Sequence, residues 1–446
     1  MWLKLLKDVN SMRHKSDVPH FFMQQCTWKG KGLIIMEYST GTVKKFNGRS
    51  ISSVYKVREA ADFIAETHVP DEGLVVVVSA IGDTTDNLIE YARTLGKGLS
   101  RREMDALLAT GEQQAAALMA MALQKAGLPA VSVSGFQSGF LTNSDHTNAK
   151  IQEFDTEVIE EILAEGSIPV VAGFQGVNED GDITTLGRSG SDITAVAIAA
   201  MLDWNCELYT TRKCLYSMDP EFHPDAKPIH YITYEEMMEL ANLGGDRIET
   251  RAVELAKKYN VRLYLGKIFD SNKESGTFVT SKEEVMNRNI YMEDMPVTGI
   301  GTQDNVSIFT LRNIPAGGKA TAECFRILAD MNINVDLISQ QATSEDAFMV
   351  SFSCNTEEGK LLKPRLEEHP FFSNIEISQI DNLSIISLVG VGMATHSGVA
   401  SKVFRVLADK NITYYHITTS EISISISVDM DCKLKAGLAL AMEFHI

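Results

Sequence analysis

The sequence predicts an α/β protein in which a mostly parallel sheet covered by helices is followed by two smaller α+β units. Two observations carry this reading. From residue 41 to about 270, short β-branched runs alternate with helical patterns, and near residue 297 a second architecture declares itself by internal repetition. The 446 residues, 44% hydrophobic and 22% charged, supply apolar material for two or three domains.

Residues 1 to 40 carry six Lys or Arg against three acids, opposite to the rest of the chain, and show no sustained period of two or 3.6. They read as an appendage of unknown role, an extended start before Met36 rather than a targeting segment, because Asp8, Asp17 and Glu37 dilute any transit-peptide character. The first strong strand is LVVVVSA at 74 to 80, followed by a helix from about Thr85. Later come IPVVAGF at 168 to 174 and a helix from Ser191. Runs such as Val75 to Val78 lack polar alternation, as strands buried on both faces do, and ligands of such sheets gather where strands end and helices begin.

In the second architecture FRILADMNI, Phe325 to Ile333, nearly repeats as FRVLADKNI, Phe404 to Ile412. Each copy follows an apolar strand pattern, VSIFTLRNI or LSIISLVGV, and precedes another, AFMVSFSC or EISISISV. Each is therefore a strand, helix, strand unit. The loops before the helices, IPAGGKA and GMATHSGVA, are rich in Gly and small residues, which leaves main-chain groups free to clasp a zwitterion.

A formal charge of −18 and a pI near 5.0 argue against nucleic-acid or anionic-membrane partners and favour small metabolites. Six scattered cysteines form no CxxC or CxxxC pair, so neither a metal cage nor a disulfide framework is expected. No apolar run reaches the eighteen or so residues of a membrane span. The expected setting is the reducing cytoplasm.

Four runs could carry chemistry. In VKKFNGRSI a strand ends at Lys45 and turns through Asn47-Gly48-Arg49-Ser50 toward a helix near Val54, a geometry that aims main-chain N–H groups and a cation at one phosphate. SAIGDTTDN, Ser79 to Asn87, puts hydroxyls at the end of the most apolar strand, and one of Thr84, Thr85 or Asp86 is expected to cap the next helix. In LLATGEQQAAALMAMAL, Thr110-Gly111-Glu112 is read as opening a helix, with Glu112 in the first turn complementing the dipole. Val171 to Leu202 reads as strand, hairpin, helix, with Arg188 on a turn and Ser191 and Asp192 at the start of the helix. An Arg there suits a carboxylate and an acid beside it an ammonium or a metal, while Ser191 or Asp192 could equally be an N-cap.

In this order, KFNGRS, SAIGDTTDN, ATGEQ and VVAGFQG…TTLGRSGSD resemble the motifs of the amino-acid kinase fold and specifically of the aspartokinases, over about residue 43 to 446. The C-terminal pair of units resembles the ACT domains that bind amino acids and regulate biosynthetic enzymes. The resemblance implies a three-layer αβα sandwich with a mostly parallel sheet over 41–296, then ferredoxin-like ACT units at 297–380 and 381–446. It implies ATP and Mg²⁺ as cofactors and L-aspartate as substrate, with lysine, threonine or both as effectors. It also implies at least a homodimer formed through the ACT domains.

Carried over residue by residue, the resemblance makes Lys45 and Asp192 catalytic. Ser79, Thr85, Glu112, Phe174, Arg188 and Ser191 would surround aspartate, and Gly48, Thr210, Thr211 and Tyr216 the nucleotide. Asn332, Asp336, Thr419 and Glu421 are the places to seek an effector. Departures from the family pattern cluster on the nucleotide side. Asn47 and Arg49 would strain or partly block the phosphate turn, Thr211, Lys213, Cys214 and Glu221 alter the segment after the strand ending at Thr210, and Asp246 stands where a nucleotide-facing Lys is expected, beside Arg247. The alternative to an active kinase is therefore a nucleotide-impaired paralogue that keeps the amino-acid site; a sister kinase acting on another amino acid is a third.

Overall fold

The computed structural model describes Tyr38 and residues 40–243, 248–288, 296–344, 347–394 and 396–446. Most of the expected N-terminal appendage, and Asp246 with Arg247, lie outside the described residues.

In chain order the first half runs β1 (Gly41–Phe46), α1 (Val54–Thr67), β2 (Gly73–Val78), α2 (Thr84–Thr94), α3 (Arg101–Lys125), β3 (Ala130–Val133), β4 (Phe140–Thr142) and β5 (Ile151–Phe154). It continues with α4 (Glu157–Ala164), β6 (Ile168–Ala172), β7 (Gln175–Val177), β8 (Ile183–Thr185), α5 (Gly190–Leu202), β9 (Asn205–Thr210), β10 (Leu215–Tyr216) and β11 (Pro228–Ile229). Then come β12 (Tyr231–Thr233), α6 (Tyr234–Asn242), α7 (Thr250–Tyr259), β13 (Leu263–Lys267), β14 (Thr277–Thr280) and α8 (Lys282–Asn287).

Eight of these strands form one sheet in the order β12-β14-β13-β9-β1-β2-β6-β3, parallel throughout except where β14 meets β13. The apolar run of β2 serves both faces, because successive side chains point to opposite sides. Val75 and Val77 pack with Val43, Val171 and the apolar residues among Ile193 to Ala199 of helix α5, whereas Leu74, Val76 and Val78 pack with Phe46, Val170 and helices α1 and α3. The result is helices on both faces, with β7 and β8 forming a hairpin in a separate four-stranded sheet.

Two local expectations are corrected. Helix α3 starts at Arg101, not at Thr110, so Glu112 lies in its middle and does not complement its dipole. Residues 101 to 108 are good helix formers apart from Asp105, and Gly111 is tolerated because the helix passes so close that a Cβ there would lie 3.0 Å from the Cβ of Ala80. Helix α2 has Asp83 at its N-cap, without a side-chain cap bond, rather than Thr84, Thr85 or Asp86; Thr84 Oγ1 instead donates back to Ile81 O at 2.6 Å.

The second half runs β15 (Gly299–Pro315), α9 (Lys319–Asp330), β16 (Ile338–Ala342), β17 (Ala347–Asn355), α10 (Thr356–Glu367), β18 (Glu376–Val389), α11 (Val399–Asp409), β19 (Tyr414–Thr419), β20 (Ser423–Asp429) and α12 (Lys433–Phe444). Its six-stranded sheet has the order β16-β17-β15-β18-β20-β19. Both repeated helices stop alike: Asn332 and Asn411 take left-handed backbone, and Ile333 and Ile412 donate back to Leu328 and Leu407.

The first unit runs βαββαβ and the second βαββα, both ferredoxin-like, and their strands interlock. The start of β15, Gly299 to Gln303, pairs with the end of β18, Ile385 to Val389, and so supplies the fourth strand of the second unit. The boundary expected between residues 380 and 381 falls inside β18, near its left-handed Asn382. Register shifts near Asn305 bend the long antiparallel β15–β18 pair, and Ser339 Oγ on one edge strand reaches His416 Nε2 on the other at 2.9 Å, so the sheet curls back on itself.

Candidate active site

The site gathers at the C-terminal ends of β1, β2, β6 and β9, where the strand order switches sides about β1. After β1 the chain makes a tight turn. Asn47 Oδ1 accepts the Ser50 N–H at 2.8 Å and Ser50 Oγ donates to Asn47 O at 2.8 Å. Gly48 is packed so closely on the carbonyl of Ala80 that no Cβ fits. Asn47 does not enter the left-handed region, so the strain expected of it is absent, and its side chain takes up one N–H of the turn instead.

Lys45 is buried and its Nζ lies 2.5 Å from Asp192 Oδ1, which is also buried. Asp192 stands in the first turn of α5, where the helix dipole favours its charge, and its Oδ2 accepts the Glu249 N–H at 3.4 Å. Gly187 and Ser189, both left-handed, turn the chain from the hairpin into α5. Between them Arg188 is exposed, with no hydrogen bond or ion pair to any described residue.

Neither Ser191 nor Asp192 is the N-cap; Ser189 holds that position and makes no side-chain cap bond. Ser191 Oγ instead lies 2.7 Å from Ser79 Oγ, which joins the end of β2 to the start of α5. Phe174 is held in left-handed backbone by its N–H to Thr194 Oγ1 at 3.0 Å, a strained conformation of the kind that clusters at functional sites. Thr85, in the first turn of α2, is half-buried.

Glu112 is 4% exposed. One oxygen accepts the Ala80 N–H at 3.0 Å and the other, Oε2, is buried without a partner. Burial pushes its carboxyl up to about 7, against the opposing pull of the Ala80 N–H and Lys45.

Beside this cluster opens a cavity of about 330 Å³, within the range of small-molecule sites. Lys45, Asn47, Ser189 and Asp192 form one end of its lining, and Thr210, Thr211 and Tyr216 line it further on; Gly48 does not. Among the described lining residues are three cations and three acids, each cation paired. Lys45 meets Asp192, Arg212 lies 3.4 Å from Asp219, and Lys433 lies 2.7 Å from Asp304.

Residues 41–267 match the amino acid kinase family and residues 386–444 match an ACT domain. An aspartokinase of Geobacillus stearothermophilus is 42% identical over 383 residues, 86% of this chain and 91% of that protein. Aspartokinase 2 of Bacillus subtilis is 41% identical over 406 residues, 91% of this chain and 97% of that protein. The chain belongs to the aspartokinases, within the amino acid kinase family. The crystal structure of E. coli aspartokinase III in complex with aspartate and ADP shares its fold, with a TM-score of 0.73 at 22% identity over 91% of this chain and 100% of that one. Aspartate kinase from Synechocystis is 32% identical with a TM-score of 0.51, over 91% of this chain and 69% of that one.

The described departures after β9 leave the cavity open. Thr211 lines it, exposed; Lys213 is exposed; Cys214 is buried in its wall with its thiol pushed up by desolvation. Glu221 joins Asp219 around the Arg212 guanidinium, at 3.9 Å. The sequence did not point to Arg212, Asp219, Asp304 or Lys433, and no local pattern marks the last two, which lie in the regulatory half. Of the residues proposed for an effector, Asn332 stops α9 and Asp336 accepts from Gln303 Nε2 at 2.9 Å, while Thr419 closes β19 and Glu421 lies in the turn after it. The four are divided between the two units.

Proposed function

We propose that this aspartate kinase transfers the γ-phosphoryl group of ATP to the side-chain carboxylate of L-aspartate, giving 4-phospho-L-aspartate and ADP. This is the first step toward lysine, threonine and methionine. The observation that carries the reading is the buried Lys45–Asp192 pair, which stands between the cavity and the Ser79, Ser191 and Glu112 cluster. One side suits a nucleotide and the other a small zwitterion.

The attacking carboxylate is ionised at neutral pH and needs no general base. The task is alignment of two anions and neutralisation of charge on the transferring group. Lys45 and the N-terminal amides of α5 supply fixed positive charge there. In the amino-acid site Arg188 takes the α-carboxylate and Glu112 Oε2 the ammonium. Ser79, Ser191, Thr85 and Phe174 frame the side chain.

No group of three or more His, Cys, Asp or Glu residues able to hold a metal occurs among the described residues. That fits Mg²⁺, which is held by one or two carboxylates together with substrate phosphates. Asp192 is the carboxylate placed to share it, and the ion would supply neutralisation of phosphate charge.

The ACT units would bind lysine, threonine or both, with Asn332, Asp336, Thr419 and Glu421 as candidate contacts, and would pair between two chains. No described helix is long and apolar enough to cross a membrane, and a cytoplasmic site of action fits the free thiols of the described cysteines. An assay of ADP release with MgATP and aspartate, with hydroxylamine trapping of the acyl phosphate, tests the reaction. Absence of both ADP release and trapped hydroxamate, with aspartate still bound, would discard it in favour of the nucleotide-impaired paralogue.

A further inference from the structure

The wall of the cavity farthest along the chain from Lys45 comes from the regulatory half. Ile300, Thr302 and Asp304 of β15 and Lys433 at the start of α12 all line it. Lys433 is held rather than dangling. Its Nζ lies 2.7 Å from Asp304 Oδ2 and 5.2 Å over the Phe222 ring, and its side chain is 17% exposed. Asp304 is fixed in turn by Ser384 Oγ, 2.7 Å from its other oxygen.

The same regulatory elements grip the segment that forms the cavity's side. Ser217 O accepts the Ile300 N–H at 2.6 Å, His223 Nε2 reaches Ile446 O at 3.2 Å, and Lys227 Nζ donates to His445 O. Met218 abuts α12 where Gly437 leaves it room; a Cβ there would lie 2.8 Å from the Met218 Cε. Such contacts fix where the Lys433 ammonium stands relative to the cavity.

We propose that Lys433 is a nucleotide-binding residue of the catalytic site, contributed by the regulatory half of the same chain. This rests on reading the cavity as the nucleotide site. An ammonium carries three N–H donors, and the carboxylate of Asp304 accounts for one hydrogen bond, so donors remain for an acceptor oxygen of the nucleotide. Lys45 serves the transferring phosphoryl group, and Lys433 therefore holds the part of the nucleotide remote from the reacting bond, common to ATP and ADP. Asp304 positions it.

Isothermal titration of ADP and of MgATP, with steady-state kinetics on the full chain, tests this. Lys433→Met should raise both dissociation constants and the ATP KM about tenfold, move the aspartate KM far less, and be largely restored in Lys433→Arg. Lys435→Met is the control on the same helix, since its Nζ donates to Lys410 O on the surface, and it should bind as wild type. A folded Lys433→Met chain that binds ADP as wild type overturns the proposal alone. A wild-type chain that binds no nucleotide overturns the kinase reading and this proposal with it.

Discussion

At the scale of single residues, Glu112 makes two pH dependences of opposite sign. Its carboxyl sits at about 7 in the folded chain against an ordinary value of 4.5, because burial penalises the charge. A raised value contributes stability that is complete below 4.5 and is lost as pH rises through about 7. Going from pH 8 to pH 5 should therefore stabilise wild type relative to Glu112→Gln, as read from urea midpoints. Binding of the substrate ammonium needs the ionised form, so the aspartate KM should rise as pH falls below about 7 in wild type and stay level in Glu112→Gln. A level profile in wild type would remove Glu112 from the ammonium site. For Lys45→Met we expect kcat to fall by roughly 10²- to 10³-fold, the scale of losing one preorganised charge at a transition state, with the aspartate KM moving far less. Equal losses in kcat and in aspartate affinity would contradict a role at the transferring phosphoryl group.

At the scale of elements, β2 was legible because an apolar run without alternation has one comfortable place, between two helical layers. The start of α3 was misread because Thr110-Gly111 looks like a beginning, whereas the Gly is there for close packing on Ala80. The N-cap of α2 falls at Asp83, one residue before the expected candidates, and at α5 the N-cap alternative fails because Ser191 and Asp192 are engaged by groups remote in sequence, Ser79 and Lys45. Helix α6 carries a link that local pattern shows only in part. Glu236 forms a capping box with Thr233, as T-x-x-E suggests, but it is fully buried and its Oε1 also accepts from Thr298 Oγ1 at 2.6 Å and from the Val391 N–H at 3.0 Å. One carboxylate thus ties the catalytic half to both interlocked strands of the second ACT unit. Glu236→Ala, which strands several buried donors, should cost about 3 to 5 kcal/mol in chemical denaturation. A cost below about 1 kcal/mol would mean that water replaces the carboxylate.

At the scale of the whole molecule, the regulatory half packs directly on the catalytic half. Its first strand, β15, leaves the catalytic half at Thr298 and Ile300, pairs across both ACT units and lines the cavity with Asp304. An amino acid that favours an arrangement of the ACT units with Asp304 and Lys433 displaced from the cavity would change nucleotide affinity, and by linkage ADP would change the affinity for that amino acid by the same factor. Titrations of lysine and of threonine with and without saturating ADP should show, for the true effector, a shift of roughly 5- to 150-fold, the usual span of such coupling. Affinities identical in both conditions would show that the shared wall transmits nothing.

The pattern of residues along the chain determined the layered α/β half, the two repeated units and the motifs that end at the strand tips, because periodicity, turn residues and short contiguous motifs are local properties that each segment carries with it. Tertiary structure alone decided which charges meet. The pairing of Lys45 with Asp192, the burial that lifts Glu112, the strand that β15 lends to the second unit and the presence of Lys433 in the cavity beside Lys45 all join positions far apart in sequence. Desolvation and Coulomb energies depend on distance and burial in three dimensions, and neither is written in the order of the residues.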